Sequence, residues 1–596
     1  MSVLNMLSPG IQVNEVDLTT IVPGVSTSVG AFVGEFNWGP VNQPVLISNE
    51  TQLLSVFGKP TTETSDSYVA TSFFSCANFL SYTNSLYVTR TINANSALNA
   101  STDRTANKIL ISNEDAYENN YLNANNEFLY GDFVAKYPGK IANGLQISLC
   151  ANSAGFSSWS YKNYFDNAPG TSTYVAETTG NYSANDEFHM IVIDSLGKMS
   201  GKANTILEKF AFLSKAKDAV DINGRSSYFK NVLLQSSNYL YVLDNPDYAN
   251  TANTWGKLSS DVVSYDSPAN FNVTLNGGSD GSSPTTANVI TSWDLINDKD
   301  KYEISLAFLG AAAPNNDATP VIAQHVLDNI VLGTSGETPI IGRKDCMLFV
   351  SPRLGDVLNE SGFEVDNIVT NNLSFLNVLD RSSSYMVVDS GWKYQYDRYN
   401  NVYRWVPLNA DIAGLCAYTD TVADPWYSPA GFNRGKIKNA VKLAWNPNLT
   451  QRDELYKNGI NPVVSVTGDG VILLGDKTLQ RKPSAFDRIN VRRLFITLEK
   501  SISRAAKYSL FEFNDPFTRS QFVALIEPYL RSVQARRGIT AFRVVCDESN
   551  NTSDIIDRNA FVGDIYIKPA RSINFIQLNF VAVKTGVDFN TVVGQF

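Results

Sequence analysis

The pattern of apolar residues changes twice along this chain of 596 residues, and this change constrains its architecture more than any other feature. Residues 24–92 and 284–465 alternate short apolar runs, typical of buried strands, with segments whose apolar residues recur at helical spacing. Between them, residues 93–283 are rich in Asn, Ser, Tyr and Gly and contain short alternating pieces. The pattern predicts a discontinuous α/β middle domain, 24–92 plus 284–465, interrupted by a β-rich inserted domain at 93–283.

Both α/β segments predict a mixture of helices and buried strands. A helix ending at Gly58, a helix over 68–80 and strands over 29–34 and 86–90 are predicted in the first segment. The second segment predicts the following elements: helices over 289–296 and 321–332, and strands over 302–309 and 346–350. Because both segments have the same character, we expect them to share one core.

Residues 466–596 predict a C-terminal α+β domain. An amphipathic helix follows Asp487, with Ile489, Leu494 and Leu498 on its apolar face. A second helix is predicted over 519–537, with Pro528 inside it. Strands are expected over 541–546, 561–567 and 573–583. The fold class is therefore α+β and multidomain.

The N-terminal residues 1–23 form an arm with little core material of their own. Gly10, Ile11, Val13 and Val16 lie in one predicted strand, which Pro9 and Pro23 isolate. A lone terminal strand cannot bury itself, so it must pair with a sheet in this chain or in another.

Charge is divided unevenly along the sequence. The whole chain has a net charge of -10, yet residues 477–596 contain 18 Lys+Arg against 11 Asp+Glu. The remaining residues hold 30 Lys+Arg and 47 Asp+Glu, a net of -17. Such a division predicts two surfaces that meet different partners. Since the chain as a whole is acidic and the Arg-rich helix lacks interleaved aromatic residues, a protein of opposite charge is a simpler partner than nucleic acid.

Signals for catalysis, cofactors and metals are weak. His189 and His325 are the two histidines, and a lone histidine is usually structural. The five cysteines form no CxxC pair and are expected to be buried small apolar residues. Residues 468–478 resemble a phosphate-binding loop superficially, but the spacing favours a strand between two turns. We therefore expect no catalytic residue, no cofactor and no metal site.

The sequence also lacks the features of a targeting signal. The first ten residues lack the basic and apolar regions of a secretory signal peptide, and no window has the apolar length of a membrane span. We expect a protein that is made in a cytoplasm and has no stable association with a membrane.

Several motifs in this sequence are long and together quite specific. The strongest are residues 486–495 (FDRINVRRLF) and 568–574 (KPARSIN). Others are residues 392–397 (WKYQYD), 404–408 (RWVPL), 410–416 (ADIAGLC) and 428–431 (SPAG), together with residues 7–11, 37–40 and 57–61. These motifs resemble the contractile tail sheath family of long-tailed, myovirus-type bacteriophages, and the likeness covers 1–92 and most of 340–596.

The resemblance implies a structural, non-enzymatic subunit of a viral tail sheath. Copies would polymerise as stacked rings around an inner tail tube, in a helical polymer that contracts and drives the tube through the host envelope. It implies further partners, namely baseplate and tail terminator proteins, assembly in the host cytoplasm and a final place in the virion tail. Direct contact with nucleic acid is not implied.

The resemblance also assigns roles to surfaces. Terminal arms would add strands to neighbouring subunits, through Gly10, Ile11, Val13 and Val16 at one end and through Ile573, Phe575, Leu578 and Phe580 at the other. A helix of the C-terminal domain would bind the tube, and our candidate residues are Arg519, Arg531, Arg536 and Arg537. The domain at 93–283 would lie outside and 466–596 inside.

Two alternatives stay open from the sequence. The chain is also compatible with the sheath of a bacterial contractile injection system, which the sequence barely separates from a phage sheath. An aromatic content of 11% and the Tyr-rich insertion suggest a different class, a carbohydrate-degrading or adhesive surface protein.

Overall fold

The computed structural model describes residues 25–60, 67–102, 108–122, 132–243, 254–312, 318–334, 339–358, 365–574 and 577. These residues fall into two units. The larger unit contains the described residues up to Pro425 and from Pro429 to Ser503. The C-terminal unit contains Trp426–Ser428 and the described residues from Arg504 onward.

The structure has mixed α and β content. The strands are β1 (Gly30–Gly34), β2 (Val45–Ile47), β3 (Leu86–Arg90), β4 (Phe133–Ala135), β5 (Leu145–Cys150), β6 (Glu187–Asp194), β7 (Thr205–Ser214), β8 (Leu240–Val242), β9 (Phe271–Thr274), β10 (Leu306–Phe308), β11 (Gly333–Thr334), β12 (Ile340–Ile341), β13 (Met347–Val350), β14 (Met386–Asp389), β15 (Trp392–Asp397), β16 (Val402–Pro407), β17 (Lys442–Leu443), β18 (Ile460–Asn461), β19 (Val463–Val466), β20 (Gly470–Leu473), β21 (Ile539–Val545) and β22 (Asp564–Pro569).

The α-helices are α1 (Glu50–Phe57), α2 (Ser67–Leu80), α3 (Glu114–Tyr117), α4 (Ser153–Phe156), α5 (Thr173–Thr179), α6 (Phe229–Ser236), α7 (Thr286–Asp294), α8 (Thr319–His325), α9 (Leu354–Val357), α10 (Val365–Leu379), α11 (Asn409–Val422), α12 (Leu449–Lys457), α13 (Ile489–Ala506), α14 (Pro516–Ala535) and α15 (Ser553–Asp557). A π-helical segment, Val326–Leu332, continues α8.

A seven-stranded sheet organises the larger unit, in the order β18-β14-β13-β10-β1-β3-β2. Its neighbouring strands are parallel, except that β2 runs antiparallel to β3. One face packs against a core that includes Trp293 of α7 and Phe375 of α10. The other face packs against a core that includes Phe73 of α2 and Ile412 of α11. Because β1 and β3 lie beside β10 and β13, segments from both sides of the 93–283 region build one sheet.

Local sequence explains these elements. The backbone N–H of Gln52 donates to the side chain of Asn49, which caps the start of α1. Gly58 follows the helix with φ of 77°, a conformation that favours glycine. The strand β1 reads GAFVG and is buried along its whole length, as a central parallel strand must be.

The region between β3 and β10 has a sheet and a core of its own. An antiparallel sheet in the order β7-β6-β5-β9 packs over Phe188, Met190 and Trp255. Its helices are short, which agrees with the absence of long helical patterns in the sequence. The buried Arg90 at the end of β3 donates to the carbonyl oxygens of Gly39, at 2.9 Å, and of Pro138, at 2.8 Å.

The structure places one boundary differently from the sequence analysis. The C-terminal domain was expected to begin at 466, but the division falls after Ser503, near the end of α13. The reason is the apolar face of α13, because Ile489 and Ile496 belong to the core beneath the seven-stranded sheet. Residues 468–478, the segment compared with a phosphate loop, form the turn and second strand of the β19–β20 hairpin and the segment after it.

Candidate functional site

The C-terminal unit contains the described part of the surfaces that the sequence assigned to assembly. Its helix α14 begins at Pro516, where the backbone N–H of Thr518 donates to the Asp515 side chain at 2.7 Å. Ile526, Leu530 and Val533 form a buried stripe on this helix. The ring of Phe522 meets Phe561 edge to face, at 5.2 Å between centroids. These residues recur at helical spacing, as expected for one face of an amphipathic helix.

Strands β21 and β22 form a two-stranded antiparallel sheet beside α14. The pairing runs from Val545 opposite Asp564 to Ile539 opposite Pro569, with one irregularity near Ile539. Within the described residues this sheet has no third strand. Side chains along both strands are largely half-buried or exposed. Each strand therefore carries backbone groups on an outer edge, and such an edge is a template for another strand.

The predicted arms lie mostly outside the described residues. Gly10, Ile11, Val13 and Val16 at the N-terminus, and Phe575, Leu578 and Phe580 at the C-terminus, are not described. Ile573 is described, and its side chain is 83% exposed. It lies shortly after the end of β22 at Pro569, so the described chain carries an exposed apolar residue just beyond the two-stranded sheet.

The four arginines proposed for tube contact do not share one environment. Arg531, Arg536 and Arg537 are exposed near the end of α14, whereas Arg519 is buried. The Nε of Arg519 donates to the side-chain oxygen of Asn514 at 2.8 Å, and its Nη2 donates to the Asn514 carbonyl. Arg519 therefore holds the start of α14, and we remove it from the set of surface residues.

The remaining arginines differ in how strongly the fold engages them. Arg531 pairs with Glu527 one turn earlier, at 3.1 Å, with 70% of its side chain exposed. The Arg536 guanidinium lies over the ring of Trp426 at 4.8 Å, and the indole N–H of Trp426 donates to the Arg536 carbonyl. Arg537 has φ of 68°, in the left-handed region. Cations at the end of a helix are favoured by its dipole.

Several of the cations counted from the sequence have partners within the larger unit. Arg493 of α13 is buried, and it pairs with Asp420 at 2.7 Å and donates to the Cys416 carbonyl. Arg492 lies over the rings of Phe486 and Tyr385. The ammonium of Lys500 donates to the Ser305 hydroxyl and the Ile304 carbonyl. From 504 to 596 the sequence has only 11 Lys+Arg against 9 Asp+Glu, so this part of the C-terminal unit is nearly neutral.

The motifs at 392–397 and 410–416 meet in the core. The buried Nζ of Lys393 lies 2.9 Å from Oδ1 of the buried Asp411. Burial lowers the pKa of Lys393 and raises that of Asp411, while their mutual attraction opposes both shifts. Burial also raises the pKa of the neighbouring Asp389 to about 8. These motifs hold strand β15 against helix α11 and therefore have a structural role.

Both histidines have structural environments. His189 is buried and stacks on Phe165 at 4.3 Å, and its Nδ1 accepts from the Phe212 backbone N–H. His325 lies 2.7 Å from Asp294. The five cysteines are buried. Throughout the described ranges, no three His, Cys, Asp or Glu side chains group so as to hold a metal ion.

No described helix is both long and apolar enough to cross a lipid bilayer.

Sequence reasoning missed one surface. Tyr508, Leu510, Phe511, Phe513 and Phe517, around the connection between α13 and α14, are 64–104% exposed. We call residues 508–517 the apolar knob. Its aromatic density was visible in the sequence, but apolar residues between two amphipathic helices are ordinarily assigned to a core.

Three family models match this chain. The phage tail sheath C-terminal domain matches residues 481–582, and the phage tail sheath protein central domain matches 344–479. The N-terminal region of domain III of the tail sheath protein Gp18 matches residues 27–90. Together they cover most of the first α/β segment, the second segment from residue 344 onward and the C-terminal part. They leave residues 91–343 unmatched, which include the 93–283 region.

Three relatives that match this chain over nearly its whole length are named tail sheath proteins. The tail sheath protein of Vibrio phage KVP40 is 33% identical, and the match covers 99% of this chain and 100% of the relative. The tail sheath protein of Enterobacteria phage T4 is 32% identical over the same shares of both chains. That of Salmonella phage ViI is 31% identical, over 98% of this chain and 97% of the relative.

A solved structure supports the fold. The sheath tail protein Lin1278 of Listeria innocua superposes with a TM-score of 0.51 at 12% identity, over 92% of this chain and 93% of that protein. Because the identity is low, this similarity supports the fold alone. The phage relatives, which match over nearly their whole length, show the family. This chain belongs to the contractile tail sheath proteins of myovirus-type bacteriophages and is a structural subunit of a virion tail sheath.

Proposed function

We propose that copies of this chain polymerise as a helical sheath around an inner tail tube, linked by strands that the arms of one subunit add to the β21–β22 sheet of another. One observation carries the proposal. The sheet has two strands in the described part of the chain, so each strand has an outer edge to which a further strand can be added. Strands added at its outer edges complete its backbone hydrogen bonds.

The arms supply suitable strands. The segment around Gly10, Ile11, Val13 and Val16 is a short strand isolated by prolines, and Ile573, Phe575, Leu578 and Phe580 alternate in part with polar residues. A subunit that donates strands at both ends and accepts strands at one sheet forms heterologous contacts, and these generate open helical polymers. Strand exchange also keeps subunits connected while their other contacts change.

Contraction requires two lattice states. In the extended state the sheath binds the tube, and in the contracted state the subunits have moved outward and repacked, which drives the tube through the host envelope. The stored work lies in subunit packing, so the chain acts without catalysis. Baseplate and tail terminator proteins bind the two ends of the polymer, which assembles in the host cytoplasm without direct contact to nucleic acid or to a membrane.

The tube contact lies on the exposed end of α14. Arg531, Arg536 and Arg537 present cations there, and an acidic tube surface complements them. Exposed ion pairs contribute only about 0–1 kcal/mol each, but a sheath repeats them along its length. Weak repeated contacts suit a sheath that must leave the tube when it contracts.

Deleting each arm tests the proposal. One variant lacks residues 1–17, and another ends after Asn574. A cut after Gly563 is unsuitable, because it removes β22 and with it half of the described sheet. Both variants are expected to stay folded, with the thermal unfolding of the intact chain, and to remain monomeric by size-exclusion chromatography. Polymers of normal length from either variant in negative-stain images overturn the proposal.

A further inference from the structure

The apolar knob is the strongest unexplained surface of the described chain. Five large apolar side chains, Tyr508, Leu510, Phe511, Phe513 and Phe517, lie within ten residues and are mostly in solvent. Exposed clusters of this kind mark interaction sites. The backbone of Phe511 also has φ of 69°, a conformation that costs a bulky residue free energy, and this residue is fully exposed.

The knob is anchored to the assembly region. The side-chain amide of Asn514 donates to the Ala560 carbonyl at 2.8 Å, beside the connection between β21 and β22. The knob therefore lies next to the sheet to which we assign the exchanged strands. Within the knob the charged residues are Glu512 and Asp515, and no cation occurs between them or beside them from 508 to 517. Asp515 caps α14, which leaves Glu512 as the charge available to a partner.

A groove in the larger unit complements the apolar knob, because it has an apolar lining and a basic residue. It has a volume of about 550 Å³ and is lined in part by Phe74, Leu80, Ile437 and Val441. The exposed Lys436 also lines it. The one acidic residue among its lining residues, Glu50, pairs with Arg398 at 2.9 Å.

The segment that carries the groove is basic. From residue 425 to residue 451 the sequence contains Arg434, Lys436, Lys438 and Lys442 and no Asp or Glu. An apolar groove with a basic edge therefore exists on the same chain as an apolar knob with an acidic residue at its centre. A patch that fits a pocket elsewhere on an identical molecule produces the head-to-tail contact that helical polymers need.

We infer that the knob of one subunit inserts into this groove of another copy of the chain, with Phe511 and Phe513 against the apolar lining and Glu512 beside Lys436. The inference rests on the proposed sheath function and names a second contact of the polymer, independent of the strand exchange. Because much of this contact is apolar, we expect it to depend less on salt than the arginine contact assigned to the tube.

Polymer assembly of the full chain tests the contact. The double variant Phe511→Ser/Phe513→Ser removes apolar side chains from solvent, so the fold is expected to keep its unfolding temperature. Its sedimentable polymer is expected to fall about tenfold, as for loss of central apolar anchors. Val441→Trp, at a 62% exposed position lining the groove, is expected to cause a similar loss by filling it. Ile222→Ser, at a 95% exposed site in the inserted region, is the matched control and is expected to leave assembly unchanged.

A charge exchange tests the pairing itself. Glu512→Lys alone and Lys436→Glu alone are expected to reduce assembly several-fold, and the two together are expected to restore it to within about twofold. Because the native cysteines are buried, Glu512→Cys and Asn439→Cys introduce accessible thiols. Mixed copies bearing one cysteine each and different tags are expected to cross-link with a short bismaleimide.

The outcomes separate the inference from the function that it assumes. If the knob and groove variants form normal polymers while the arm deletions do not, the inference is wrong and the proposed function stands. Cross-linking of position 512 to purified tube protein, or to position 439 of its own chain, also overturns the inference. If the intact chain forms no polymer with or without tubes, both fail.

Discussion

The ammonium of Lys393 on β15 and the carboxylate of Asp411 on α11 form an ion pair of 2.9 Å that is removed from solvent. Tyr82 donates to the same Asp411 oxygen, and Lys393 also donates to the Lys438 carbonyl. The pair therefore joins α11, β15 and the 438 segment at one point. Its two residues lie in the motifs 392–397 and 410–416, which resemble the family.

Removing one partner of this ion pair is expected to destabilise the fold. Lys393→Met leaves the Asp411 carboxylate buried without its cation, which is expected to lower the free energy of unfolding by about 3–5 kcal/mol. Lys393→Met/Asp411→Leu removes both charges and is expected to regain most of that loss. Urea denaturation of the arm-deleted monomer measures both variants. Equal destabilisation by the single and the double variant contradicts the assignment.

Asp389 predicts the pH dependence of the same region. Its Oδ2 accepts from the Ser351 hydroxyl at 2.6 Å, and burial raises its pKa from 3.8 to about 8. Between these values the folded state keeps a proton that the unfolded state has lost. The Asp389 contribution therefore makes the free energy of unfolding fall as pH rises from about 4 to about 8, by up to about 1.4 kcal/mol per pH unit, and then level off.

Asp389→Asn isolates this effect, because the amide oxygen still accepts from Ser351. Urea midpoints of the arm-deleted monomer between pH 5 and pH 9 are expected to show a weaker decline for the variant than for the parent. Parallel curves for the two proteins show that Asp389 is ionised in the fold and contradict the prediction.

The tube contact is expected to respond to salt. Arg531→Gln/Arg537→Asn removes two exposed charges, and asparagine suits the left-handed backbone at 537. Co-sedimentation with purified tubes is expected to weaken for this variant at low salt and to converge with the parent at high salt. Arg558→Gln, an exposed charge elsewhere in the unit, is the control. Unchanged binding by the double variant places the tube contact elsewhere.

The inserted region is expected to be dispensable for the lattice. Its two entry points lie together, since the Leu98 N–H donates to the Ser279 carbonyl at 2.9 Å. Replacing residues 95–278 by a short Gly/Ser bridge is therefore expected to leave the seven-stranded sheet intact and polymers still able to form. The Pro138 carbonyl is lost with the insertion, so Arg90 loses one acceptor and some stability is expected to be lost. Protease protection of 93–283 in the assembled sheath argues against an outer position.

Four strands of the seven-stranded sheet, β1, β3, β10 and β13, were predicted, because each is a short buried run whose signal is local. The strands β2, β14 and β18 were not predicted. Residues 86–90 were predicted as a strand and are β3. The environments of charged residues were not predictable. Arg493 and Arg531 are both arginines on amphipathic helices, yet one is buried against Asp420 and the other is exposed. Burial of an arginine depends on which partner the fold brings near, and this partner lies 73 residues away.

The environment of Arg519 on α14 was also not predictable from the sequence. Sequence periodicity gives the apolar stripe of α14 but not the position of the Asn514 oxygens that hold this guanidinium. The apolar knob was missed for the opposite reason, because apolar residues indicate burial and here they are exposed. In the contact that we infer, these residues become buried only when another copy binds, so sequence patterns that reflect the fold of one chain do not reveal their role.

A cryo-EM reconstruction of the assembled polymer tests the central claim most directly. We predict that the β21–β22 sheet has additional strands at its edges, formed by residues near 10–16 and 573–580 of other copies. A sheet that stays two-stranded in the polymer, or that gains its strands from its own chain, contradicts the account.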